Sequence, residues 1–205
     1  TAHDMQGGLM PAVQPSIDGF DITGRCIPAN HVCGDFFQYF EHDDKLSICV
    51  ADVTGHAMDA AIPAVMFSGV LDKQMEMGGD LGSIFTGLNG SMSRTLPDRT
   101  FICFTTGELH AESRTIRLSN GGCPYAYHYL APTGEIVELQ VDAYPLGVRS
   151  NTKYQVIETQ LDPGDRVIFC SDGIPEADNA KGGQFGYDRT EATILQACKD
   201  DLSAE

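Results

Sequence analysis

Leu46-Ser47-Ile48-Cys49-Val50-Ala51-Asp52-Val53-Thr54-Gly55-His56 decides how the rest of the chain is read. A run of apolar and β-branched residues ends in an aspartate, then a Thr-Gly turn, then a segment of helical pattern. That is a buried strand finishing in a carboxylate, which is costly unless the charge is paired or binds a cation. Two further stretches repeat the feature, Gly34-Asp35-Phe36 and Val167-Ile168-Phe169-Cys170-Ser171-Asp172-Gly173. Hard cations such as Mg²⁺ and Mn²⁺ take carboxylate, carbonyl and water oxygens. Asp35, Asp52 and Asp172, with the Val53 carbonyl beside them, therefore suggest a metal site assembled from distant parts of the sequence. Two ions about 3.5–4 Å apart could share a water and activate it at neutral pH.

Working outward, Phe36 to Phe40 reads as an aromatic strand, Glu41 to Lys45 as a charged turn, and Leu46 to Val53 as the returning strand. The hairpin brings Asp35 and Asp52 to one end of adjacent strands. Phe20 to Pro28 alternates as a further strand, and Thr1 to Pro15 reads as the tail of a linker helix, with Met5, Leu9, Met10 and Val13 at helical spacing. From Ala57 to Met77 a stripe of Ala60, Ala61, Ala64, Val65, Phe67, Ser68 and Leu71 predicts a helix, with Pro63 giving a late start or a kink. Leu81 to Leu96 is a second helix. Strands follow at Thr100 to Leu109, Thr115 to Ser119, Tyr125 to Leu130, Glu135 to Val141, Tyr154 to Leu161 and Arg166 to Ser171, then a helix from Thr190 to Lys199. Hairpins with two consecutive helices between them imply an α+β domain of stacked antiparallel sheets covered by helices.

The balance of 13 Lys+Arg against 29 Asp+Glu, net −16, argues against nucleic acid and anionic membrane partners, which demand clustered bases. It is consistent both with a solvated acidic surface and with acids converging on divalent cations. No apolar run approaches the ~18–20 residues of a membrane span. Seven cysteines (26, 33, 49, 103, 123, 170 and 198) form no C-x-x-C pair and read as small buried hydrophobes of a reducing compartment, hence a cytoplasmic protein. His56 is a candidate general acid or a loop-fixing residue; His3, His31, His42, His110 and His128 have no ligand-like spacing. Ser171 lacks the flanks of a nucleophile elbow, and there is no P-loop.

Cys33-Gly34-Asp35-Phe36-Phe37, Asp52-Val53-Thr54-Gly55-His56 and Ser171-Asp172-Gly173-Ile174-Pro175-Glu176-Ala177 resemble three signature motifs of the stage II sporulation protein E (SpoIIE) phosphatases. These are a branch of the metal-dependent, phosphatase-2C-like (PPM) serine/threonine phosphatases. Leu9-Met10-Pro11, Ile27-Pro28-Ala29, Asn120-Gly121-Gly122 with Pro124, and Gln184-Phe185-Gly186 add to the likeness, in the expected order along nearly the whole chain. The resemblance implies two stacked antiparallel sheets flanked by helices, over residues 16–205, behind a 1–15 linker. It implies hydrolysis of phosphoserine or phosphothreonine by metal-activated water with Mn²⁺ or Mg²⁺, on a phosphorylated anti-sigma-factor antagonist. By position Asp52 would bridge the metals, Val53 would offer its carbonyl, Asp172 would hold the other ion, and Asp35 would bind through water or from the outer shell. An upstream sensor is implied as well, with the linker helix as a switch or homodimer contact.

Cys33, Ala57 and Pro175 depart from the family pattern, changes expected to be tolerated. The family's last aspartate, in an Asp-Asp-x-Thr motif opening a final strand, has no counterpart in Asp200-Asp201-Leu202. The expectation is therefore a domain without its C-terminal strand, with one metal position weak or empty and reduced activity. The competing reading is a phosphatase-like regulatory module that binds without catalysis. A metal phosphodiesterase would need basic residues around the acids to hold a nucleotide, and the sequence has none there.

Overall fold

In the computed structural model, residues 8–27, 34–55 and 58–204 are described, excepting the side chains of Met58 and Asp59. The elements in chain order are β1 (Phe36–Glu41), β2 (Leu46–Val53), α1 (Met58–Met77), α2 (Leu81–Thr95), β3 (Ile102–His110), β4 (Thr115–Gly121), β5 (Ala126–Leu130), β6 (Glu135–Leu139), β7 (Ile157–Gln160), β8 (Arg166–Ile168) and α3 (Tyr187–Lys199). They form a five-stranded sheet in the order β1-β2-β3-β4-β7 and a three-stranded sheet in the order β6-β5-β8. Every pairing is antiparallel. Helices α1 and α2 pack against β2 and β4 of the larger sheet, and α3 packs against β5 and β6 of the smaller. The α+β sandwich expected from the hairpin pattern is the fold observed.

Period-two patterning explains the layers. Along β2, Cys49, Ala51 and Val53 point toward α1 and α2, into a core with Phe67, Leu71, Phe85, Leu88 and Phe104. Phe104 stacks edge-on against Phe67 at 5.2 Å and lies 5.0 Å from Phe85, so one ring of β3 joins both helices. Between the sheets, Leu118, Ala126, Leu139 and Val141 bury a second cluster under Val167 and Phe169. Helix α1 buries Ala60, Ala64, Phe67 and Leu71 as the stripe predicts, but Val65 is exposed, because it falls off the i, i+4, i+7 face. The helix runs from Met58 through Pro63, so its start is not late. No described helix is long and apolar enough to cross a membrane.

Three expectations fail for physical reasons. The stretch Phe20 to Pro28 forms no strand over its described residues. Instead the chain crosses the face of β1, with Gly24 so close that a Cβ there would lie 2.5 Å from the Phe37 ring and 2.6 Å from the Tyr39 hydroxyl. Its backbone is satisfied by a side chain rather than a sheet: Gln14 Nε2 donates to Gly24 O at 3.3 Å, and Gly24 N donates to Gln14 Oε1 at 3.2 Å. Residues 8–15 are turns and bends rather than helix, as Pro11 and Pro15 dictate, and Met5 lies outside the described residues. Strand β8 stops at Ile168 instead of reaching Ser171. Its ladder with β5 ends at the Tyr127–Ile168 pair, and the chain beyond leads to Ser171, which donates to Asp35 instead.

A buried ion pair ties the larger sheet together. Glu108 of β3 is fully buried, with Lys45 Nζ 2.5 Å from Oε1 and Arg117 Nη1 3.5 Å from Oε2. Removing one partner of such a pair strands the others. Glu108→Ala should cost about 3 kcal/mol of unfolding free energy. Glu158→Ala, which removes only the exposed end of the network 3.7 Å from Arg117, should cost less than about 0.5 kcal/mol. Urea unfolding of the two variants measures the difference.

Candidate metal centre

The β1–β2 register sets Phe36 against Ala51, so the next pair outward is Asp35 and Asp52, at the edge of the larger sheet. Asp35 is the strongest charge acting on Asp52, ahead of Asp172 and Glu176. Across the sandwich, the chain leaving β8 delivers Ser171, whose Oγ donates to Asp35 Oδ2 at 2.5 Å. That contact fastens the smaller sheet to the larger and sets Asp172 beside the pair. All three aspartates are partly buried.

Their electrostatics is one-sided. Burial is the largest influence on Asp52, followed by the charges of Asp35, Asp172 and Glu176, and together they push its carboxyl up to about 8. Asp172 is raised by burial, then by Glu176 and Asp35. Every neighbouring charge that acts on Asp52 acts to keep it protonated, the condition that a divalent cation would reverse. The donors are all oxygen, which suits Mg²⁺ or Mn²⁺ and not a soft metal. Among the described residues no three His, Cys, Asp or Glu side chains are grouped closely enough to hold an ion by themselves. One or two carboxylates completed by water, the usual manner of Mg²⁺, is what the arrangement permits.

The backbone after Asp52 is fixed from two sides. Thr54 Oγ1 donates to Phe101 O and accepts from Phe101 N, both at 2.9 Å, and Thr54 N donates to Phe101 O at 3.1 Å. Gly55 then turns at φ 124°, a conformation glycine tolerates best. On the other side Gly34 lies against the Val53 carbonyl, where a Cβ would come within 2.3 Å of the oxygen. Only glycine allows that approach, which explains the Gly before Asp35.

The sequence singled out Asp35, Asp52, Val53 and Asp172, and these come together at one edge. His56 lies outside the described residues. Asp200 caps α3 and Asp201 pairs with Arg166 at 2.6 Å, so neither joins the aspartates. Sequence reasoning missed Ser171 as the donor to Asp35, having weighed it only as a nucleophile. It also missed Glu176, whose N donates to Asp172 O at 2.9 Å in a single turn. The i, i+4 spacing of Asp172 and Glu176 was the available signal.

A family model described as stage II sporulation protein E (SpoIIE) matches residues 42–205. The phosphoserine phosphatase RsbU of Bacillus subtilis (strain 168) is 22% identical over 181 residues, covering 88% of this chain and 54% of RsbU. The chain thus spans about half the length of that curated relative. The SiaA-PP2C domain of Pseudomonas aeruginosa matches with a TM-score of 0.73 at 23% identity, over 87% of this chain and 70% of that one. The crystal structure of RsbX in complex with magnesium matches with a TM-score of 0.59 at 20% identity, over 90% of this chain and 85% of RsbX. At these identities the structural matches establish the fold.

Two outcomes follow from the geometry. A carboxyl raised from about 3.8 to about 8 leaves stability intact below the unfolded value and removes it as pH climbs toward the folded one. In chelator, Asp52→Asn should therefore stabilise the protein at pH 8 by roughly 2–4 kcal/mol, part of the repulsion being screened by water, and should have little effect at pH 4. Denaturant melts at the two pH values test this. Gly34→Ala should cost about 1–3 kcal/mol by forcing the Val53 carbonyl aside, measured the same way.

Proposed function

The chain belongs to the stage II sporulation protein E family, and on that footing we propose that it is a metal-dependent protein serine/threonine phosphatase acting on a phosphorylated anti-sigma-factor antagonist. The observation that carries the reading is the meeting of Asp35, Asp52 and Asp172 at one sheet edge, with each neighbouring charge raising Asp52. Bound Mn²⁺ or Mg²⁺ would supply a water acidic enough to react at neutral pH and would neutralise the phosphoryl oxygens. Asp52, Asp172 and the Val53 carbonyl would hold the ions in this reading, and Asp35, which accepts from Ser171, would bind through water or from the outer shell. Thr54 and Gly34 keep the Val53 carbonyl fixed, so no reorganisation is needed when substrate arrives.

The charge of −16 fits a protein substrate met through local chemistry rather than through a broad basic surface. Regulation by an upstream sensor, and pairing of two copies through the segment before residue 16, belong to the same proposal. One observation favours the alternative of a binding module with little catalysis: no three acidic side chains among the described residues are grouped as a metal cage.

Hydrolysis of a phosphoserine protein or of p-nitrophenyl phosphate with Mn²⁺ separates the readings. Asp52→Asn should lower kcat by more than about 100-fold, beyond the ~10–100-fold typical of losing a supporting partner, whereas Ser171→Ala should fall within that range. Undiminished turnover in Asp52→Asn would contradict the assignment. Mn²⁺ should also raise the Tm of the wild type, as any ligand of the native state does, and leave that of Asp52→Asn unchanged.

A further inference from the structure

Beside the aspartates, the connection from β4 to β5 and the strands β5 and β6 enclose a cavity of about 340 Å³. Its size is at the lower end of the ~300–1,000 Å³ typical of small-ligand clefts, enough for one long side chain. Its floor is stiff. Asn120 Nδ2 donates to Cys123 O at 2.9 Å, and Cys123 N donates to Asn120 Oδ1 at 3.0 Å. The cavity shares a wall with the acid cluster: Asp52 pairs in register with Cys103, and a Cβ on the lining residue Gly122 would sit 3.3 Å from Cys103 Sγ. From the opposite side comes Tyr187, the first residue of α3, which feels the charges of Asp172 and Glu176.

The walls have a definite chemistry. Tyr125 and Tyr187 present aromatic surface above the buried Tyr127, Glu138 and Asp142 present exposed carboxylates, and no Lys, Arg or His is among the described lining residues. Tyr125 Oη donates to Asp142 Oδ1 and so holds that carboxylate in place. Aromatic faces with fixed carboxylates suit an ammonium or guanidinium group. Beyond Asp142 and Ala143 a second cleft of about 540 Å³ opens, and there the sign changes to Arg149 and Lys153. This loop is braced too: Asn89 of α2 donates from Nδ2 to Arg149 O at 2.8 Å and accepts from Gly147 N at 2.9 Å. The Arg149 guanidinium lies 4.0 Å above the Tyr144 ring. A polypeptide along this groove would meet acid next to the aspartates and base farther away.

We propose that the Tyr125–Glu138–Asp142–Tyr187 cavity is a specificity subsite that seats a lysine or arginine side chain flanking the phosphorylated residue of the protein substrate. The inference rests on the phosphatase reading and adds the charge of the preferred substrate to it. Glu138 and Asp142 are the discriminating residues, and the tyrosines are the platform on which the aliphatic stem lies.

Two fluorescent phosphoserine peptides, identical except for Lys or Glu at the positions flanking the phosphoserine, test it by anisotropy with Mn²⁺ present. The wild type should bind the Lys peptide about ten-fold more tightly. The double variant Glu138→Lys/Asp142→Lys should reverse the preference, with an unchanged Tm showing that both exposed substitutions leave the fold intact. Glu135→Lys makes the same charge change on the opposite face of β6 and should leave the preference as it was. Hydrolysis of p-nitrophenyl phosphate, which has no flanking residue, should be the same in Glu135→Lys and the wild type. Equal affinity for the two peptides, binding of neither, or a preference that shifts as much with Glu135→Lys overturns the subsite. Failure of the wild type to hydrolyse p-nitrophenyl phosphate strikes the phosphatase reading instead, while the peptide preference still decides the subsite.

Discussion

Carboxylates held together at the edge where two sheets meet repel one another, and the rest of the site is arranged to withstand that repulsion. Two unit charges about 4 Å apart near a protein surface repel by roughly 4 kcal/mol. Asp52 relieves the strain in part by keeping its proton well above the ordinary carboxylate range. The remainder is borne by the frame: the β1–β2 register, the Thr54 clamp onto Phe101, and the Ser171 hydroxyl that ties the smaller sheet to Asp35. Natural folds accept such local cost where function needs it.

The same frame explains the surrounding packing. Gly34 must be glycine for the strand to press against the Val53 carbonyl, and Asp35 follows from that placement. The aromatic core of Phe67, Phe85 and Phe104 fixes β2 and β3 from behind, so the edge bearing the acids cannot drift. The Asn120 turn and the Asn89 brace hold the groove that leads away from the site with comparable stiffness. Catalysis and substrate reading would both benefit from groups that do not move on binding.

Much of this was legible in the residues. The β1–β2 hairpin, the two consecutive helices and the β5–β6 turn at Pro132-Thr133-Gly134 follow from periodicity and turn chemistry, and the strand Leu46–Val53 falls where its apolar run begins and ends. The site's aspartates were visible because an acid at the end of an apolar strand is expensive. What sequence could not supply was tertiary. The Gln14 amide replaces a strand neighbour for Gly24, and Ser171 finds Asp35 across 136 positions. Each depends on a contact between segments that no local pattern encodes. The cavity beside the acids was likewise hidden, since its carboxylates come from β6 and from the connection after it.

The central claim is that Asp52 and Asp172 hold divalent cations at the sheet edge. A crystal structure of the protein grown in Mn²⁺, with anomalous diffraction to locate the metal, tests it most directly. The account predicts anomalous density in contact with Asp52 and Asp172 and next to the Val53 carbonyl. Saturating Mn²⁺ with no density there, or density only at other acids on the surface, would contradict it.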